Sequence, residues 1–96
     1  MVTLIARLKA KPGKETILIG ECVDIAREVR EKEKGCLMYV PHVSIENPGE
    51  IVFIEKYESR EAFDAHLQTA YFKALAEKLE DLLDGPPVLQ FLKELT

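Results

Sequence analysis

The chain contains no tryptophan, two cysteines and two histidines, and each scarcity narrows the chemistry open to it. Cys22 and Cys36 stand in no CxxC spacing and have no histidine beside them. They read as small buried hydrophobes in a reducing compartment, not as a disulfide framework. A nucleophilic Cys36 is the lesser alternative. His42 and His66 form no helical HxxxH pair, so no metal site is expected. Basic residues are not in excess: 13 Lys and Arg face 17 Asp and Glu, for a formal charge of −4. Nucleic acid and acidic membrane surfaces, which require a basic footprint, are therefore not expected partners. No apolar run approaches the roughly 18 residues of a membrane span. The N-terminal VTLIARLKA lacks the charged-then-apolar form of a signal peptide, which predicts a cytoplasmic protein. Glycine-rich phosphate loops, GxSxG and Walker patterns are absent as well.

What is present is strong periodicity. The 96 residues are the length of one domain, 1–96, with 47% apolar and 31% charged residues. In VTLIARLKA, Val2, Leu4, Ala6 and Leu8 alternate with Thr3, Ile5, Arg7 and Lys9, as in a half-buried strand. Between Lys14 and Lys34, Leu18, Cys22, Ile25 and Val29 recur at helical steps, and REVREKEK reads as the solvated side. Gly35 is expected to stop this helix in a left-handed conformation. CLMYVPHVSI predicts a second strand, placed at an edge or bulge by Pro41. ENPGE is a turn, and IVFIEKY is the antiparallel partner strand. Ser59 is an N-cap for a long helix carrying Phe63, Leu67, Ala70, Leu75, Leu79 and Leu82 until GPP ends it. VLQFLKEL closes the chain as a strand.

The order βαββαβ is that of a ferredoxin-like α+β fold, a four-stranded antiparallel sheet with both helices on one face. The opposite face should be polar if it met water. Instead IVFIEKY carries Phe53 and Tyr57 against Val52 and Ile54, and VLQFLKEL carries Leu89, Phe91 and Leu95 against Val88 and Leu92. Two apolar faces call for a second cover, and another copy of the chain packed sheet on sheet is the economical one.

Period two also places Glu55 between Phe53 and Tyr57 on one strand face. On the following helix Phe63, His66, Leu67 and Ala70 share a face. With Phe53 and Phe63 turned inward, Glu55 and His66 project from opposite walls into one space. A carboxylate beside an imidazole orients the ring and raises its basicity, and an apolar pocket holding such a pair suits proton abstraction. The plainer alternative is a satisfied boundary histidine, with Glu55 paired to a Lys or Arg. His42 reads as an exposed loop residue, and Tyr39 and Tyr71 as core or rim packing.

The strings VTLIARLKAKPGKE, KGCLMYV and FIEKYESREAFDAHLQTAYF, closed by a short apolar strand, resemble the antibiotic biosynthesis monooxygenase (ABM) domain over nearly the whole chain. That resemblance implies the βαββαβ fold, assembled through its sheets into a dimeric α/β barrel. Glu55, Tyr57, Phe63, His66, Thr69 and Phe72 fall on its main motif string, and Gly35, Cys36, Leu37 and Tyr39 on its second-strand string. Members include monooxygenases that use no cofactor and oxidise anthrone-type polyketides or quinols, others that degrade haem, and a branch that processes a phosphorylated signal. Tyr71 occupies a position where relatives often have a second histidine, and the missing tryptophan departs from the haem-degrading pattern. The expectation is an oxygenase that needs neither metal nor flavin and acts on a quinol or anthrone-type aromatic. His66 would be its base and Glu55 the group that orients it. Tyr39, Phe53, Tyr57, Phe63, Tyr71 and Phe72 would bind the substrate, with Tyr57 or Tyr71 on a ring oxygen. A proton-transfer isomerase of a small carbonyl compound and a non-catalytic small-molecule-binding dimer are the alternatives.

Overall fold

The computed structural model describes residues 1–96. Its elements are β1 (Val2–Lys9), α1 (Glu15–Lys32), β2 (Cys36–Val43), β3 (Glu50–Tyr57), α2 (Arg60–Leu67), α3 (Ala70–Leu82) and β4 (Val88–Leu92). The strands form one antiparallel sheet in the order β2-β3-β1-β4. This is the ferredoxin-like α+β arrangement anticipated from the periodicity. Pro41, which has no N–H for a ladder, sits in β2 at the sheet edge.

Alternation in the strands becomes a two-faced sheet. Leu4, Ala6 and Leu8 of β1 and Ile51, Phe53 and Tyr57 of β3 are buried, together with Leu18, Cys22, Ile25 and Val29 of α1, in a single apolar cluster. Each large aliphatic so removed from water contributes about 1.5–3 kcal/mol before the entropy of ordering is subtracted.

Four local expectations are revised. The single second helix is in fact two, because Thr69 interrupts it. The Thr69 hydroxyl donates to the His66 carbonyl at 2.9 Å and accepts from Phe72 N at 3.2 Å. It therefore closes α2 and caps α3 with one side chain. Ser59, by contrast, caps α2 as anticipated, accepting from Ala62 N at 3.1 Å. Secondly, Gly35 is not left-handed; the positive-φ glycines are Gly13 and Gly85. Helix α1 ends because Glu33 turns extended, at φ −108° and ψ 94°. Gly35 is required for space, since a Cβ there would lie 2.8 Å from the Ala62 Cβ. Thirdly, His42 lies in β2 opposite Val52, exposed but within the ladder, and not in a loop. Finally β4 ends at Leu92, and Leu95 is exposed beyond it.

Candidate active site

Helix α2 packs on the sheet with Phe63 and His66 as its buried residues. His66 is 2% exposed, a low value for a polar ring in a chain of this size. Aromatic neighbours account for it. The His66 ring lies 5.0 Å from Phe72, 5.1 Å from Tyr39 and 5.6 Å from Tyr57, between centroids. The break at Thr69 is what brings Phe72 against the histidine, because the redirected α3 opens one turn later.

A buried imidazole requires partners for its nitrogens. Nδ1 lies 2.9 Å and 3.1 Å from the two carboxylate oxygens of Glu33, and Tyr71 donates its hydroxyl to the same carboxylate. The extended backbone of Glu33 swings it off the end of α1 and toward α2. An anion on Nδ1 holds the proton there and leaves Nε2 as the lone-pair nitrogen. Nε2 has no hydrogen-bond partner. It is also not sealed in, since it is not among the fully buried side-chain atoms that lack a hydrogen bond.

The space beside His66 is a cavity of about 300 Å³ between sheet and helices. Eleven of its fourteen lining residues are hydrophobic and none is Lys or Arg, so it suits a neutral, apolar guest and offers nothing to a phosphate or carboxylate. Tyr39, Phe53, Glu55, Phe63, His66 and Phe72 all line it. Glu55 is 5% exposed, and burial is the main reason its carboxyl is pushed from an ordinary 4.5 up to about 7, with the Tyr57 hydrogen bond opposing and Glu33 adding to the rise. Near neutral pH it is thus partly protonated. Burial likewise drives the Tyr39 hydroxyl well above its usual range, with Glu55 contributing.

Several roles assigned from sequence change here. Glu55 and His66 do share the cavity, but Glu55 does not orient the ring: its Oε1 accepts from Tyr57 OH at 2.7 Å, and the imidazole belongs to Glu33. Tyr57 is fully buried behind the cavity wall, edge-on to Phe63 at 5.2 Å. Tyr71 points at Glu33 from outside the cavity, beneath the Lys32 ammonium at 5.7 Å. Neither hydroxyl is therefore directed to a substrate oxygen. Cys36 does not line the cavity either, and burial followed by Glu33 pushes its thiol up to about 11, which disfavours a thiolate nucleophile. No three His, Cys, Asp or Glu side chains converge as a metal-ligand set. Glu33 was missed by sequence reasoning. In REVREKEK it is one charge among several, and only its place two residues before the glycine sets it apart.

With this geometry in view, the similarity to known proteins becomes specific. The family model described as antibiotic biosynthesis monooxygenase matches residues 1–78. The chain belongs to this family. An antibiotic biosynthesis monooxygenase of known crystal structure superimposes with a TM-score of 0.92 at 26% identity, covering 100% of both chains. The Pseudomonas aeruginosa protein PA3566 does so with a TM-score of 0.92 at 28% identity, over 99% of this chain and 94% of that one. Among relatives, Escherichia coli YgiN, which bears the name Probable quinol monooxygenase, is 35% identical over 95 residues, covering 88% of this chain and 90% of YgiN. An uncharacterized Synechocystis protein is 29% identical over 92 residues; the alignment takes in 96% of this chain and 62% of that longer protein. The ABM motif H-x-x-T-x-x-F acquires a physical meaning in this fold. Its threonine ends the helix that bears the histidine and starts the one whose phenylalanine packs on it. No helix is long and apolar enough to cross a membrane.

Proposed function

We propose that this ABM-family chain is a monooxygenase acting on an electron-rich quinol or anthrone-type aromatic, with O2 as the oxidant and neither metal nor flavin needed. The observation that carries the reading is His66: a buried imidazole anchored at Nδ1 by Glu33, with Nε2 unpartnered and the residue lining an apolar cavity. Such a nitrogen is a general base. Once it has taken a proton, the electron-rich ring can itself pass an electron to O2, so for this first step the protein binds, deprotonates and excludes water. A cavity without cations favours a neutral phenol over a charged substrate. Kinship with YgiN supports the quinol class. Tyr71 hydrogen-bonds Glu33 and so acts on the base from behind.

The test is oxygen consumption by purified, metal-stripped protein with a panel of hydroquinones and anthrones. Protein-dependent uptake that falls about 10²-fold or more in His66→Ala is the expected result. Uptake unchanged by that substitution removes His66 from the mechanism. Turnover under strict anaerobiosis would instead identify a proton-transfer isomerase, and binding without turnover a small-molecule-binding module.

The working form in this proposal is a homodimer joined through the helix-free sheet face. On that face Ile5, Ile54 and Val40 stand side by side in the register, and Leu92 and Val88 follow on β4. Leu92 and Val88 are 41% and 56% exposed in the single chain. Light scattering at low micromolar concentration tests it; a mass of 10.9 kDa would rule the dimer out.

A further inference from the structure

We propose that Glu55 is a second catalytic group of the cavity: the acid that protonates the departing oxygen after O2 has added to the substrate. The inference rests on the oxygenase reading above and adds to it a residue with a different task from His66.

The geometry starts from the two oxygens of one carboxyl. Glu55 Oε1 is occupied by the Tyr57 hydroxyl at 2.7 Å. Glu55 Oε2 has no hydrogen-bond partner, yet it is not fully buried. Glu55 lines the same cavity as His66, so its free oxygen is the one able to carry a proton toward a guest. Tyr57 thereby fixes which oxygen is the donor. The chargeable groups around Glu55 are Tyr57 on β3, Tyr39 and Cys36 on β2, Glu33 just past α1 and His66 on α2, while β1 faces it with Leu4. None of them is a Lys or Arg that would hold Glu55 as an anion. The rise of its carboxyl to about 7 agrees with a proton retained near neutrality.

The reaction needs such a group. His66 Nε2 first takes a proton from the substrate, and the electron pair moves to a ring carbon that still bears hydrogen. That carbon adds O2, which becomes a carbon-bound peroxide anion and recovers the proton from His66. The hydroperoxide then collapses. His66 takes the remaining hydrogen from carbon as a proton, a C=O bond forms and the O–O bond breaks. The distal oxygen leaves and must be protonated in the same event to become water. One imidazole cannot accept the carbon proton and donate the oxygen proton at once, so two groups in opposite protonation states are required. Glu55 supplies the second, and the proton left on His66 restores it. In balance, substrate and O2 give a product with one added oxygen and two fewer hydrogens, plus water.

The experiment compares wild type with Glu55→Gln, which keeps an acceptor for Tyr57 but has no acidic proton. Hydroquinone and anthrone are the probes, with O2 consumed, oxygenated product and H2O2 measured together. The expectation for the variant is continued O2 consumption with oxygenated product per O2 reduced about tenfold and H2O2 or hydroperoxide increased to match. In wild type that ratio should fall as pH rises through the titration of Glu55, and in the variant it should be flat. An unchanged ratio and pH profile in a folded variant overturns the role of Glu55 while leaving the oxygenase reading intact. Absence of O2 uptake by wild type overturns both. Should the variant fail to fold, infrared spectra of wild type with labelled glutamate decide: lack of a protonated, buried carboxyl near pH 6 overturns the proposal.

Discussion

Burying Glu55 should make the fold less stable as the solution becomes alkaline, and replacing it should remove that penalty. The folded chain holds the Glu55 carboxyl at about 7, against an ordinary 4.5. A group whose pKa is raised by folding contributes its stability in full below the unfolded value and loses it as pH rises through the folded one. The window therefore runs from 4.5 to about 7. At 1.36 kcal/mol per pH unit the rise is worth about 3 kcal/mol, a large share of the 5–15 kcal/mol typical of a domain. Solvent screening takes little from this figure because Glu55 is 5% exposed. Glu55→Gln keeps the size of the side chain and an acceptor for Tyr57, but cannot ionise. The assay is urea unfolding followed by far-ultraviolet circular dichroism, since the chain has no tryptophan to report fluorescence. Protein concentration must be held constant, because association would shift the midpoint. The stability of the variant minus that of wild type should increase by about 3 kcal/mol between pH 4.5 and about 8, with similar m-values. Titrating groups that do not interact with Glu55 cancel in this difference. A difference that is independent of pH, or that falls as pH rises, would refute the reasoning.

Three further outcomes are expected. Gly35→Ala should cost about 1–3 kcal/mol by driving a Cβ to 2.8 Å from Ala62, measured as a lowered urea midpoint; no change would mean the α1–β2 turn yields freely. Thr69→Ala should cost about 1 kcal/mol through the lost cap of α3, whereas Thr69→Ser should recover most of it in the same assay. Tyr71→Phe should preserve the fold by circular dichroism while altering the pH dependence of O2 uptake, because Glu33 loses one of its two partners; an unchanged profile would make Tyr71 a bystander to the base.

The extent to which the molecule was legible in its sequence follows from the range of each interaction. The period-two runs of β1 and β3 and the helical stripe of α1 report burial residue by residue, so the sheet, its partner helices and the inward turn of His66 could all be read from local pattern. Ser59 was legible for the same reason, since a cap acts three residues away. Thr69 was not, because a helix-compatible apolar stripe runs through it and the break depends on its hydroxyl bonding both ways. The need for glycine at 35 arises from Ala62, which approaches only when α2 docks. The carboxylates show the limit most clearly. Sequence placed Glu55 and His66 on facing walls, and they do line one cavity. Which anion meets the imidazole was decided by the path of the chain out of α1. The extended turn at Glu33 carries a charge from an apparently solvated helix end across 33 residues of sequence to Nδ1, while Glu55 is claimed by the tyrosine two residues away on its own strand. Periodicity fixes which way a side chain points, because the backbone repeat sets it; what a side chain meets depends on where distant segments dock, and no local repeat encodes that.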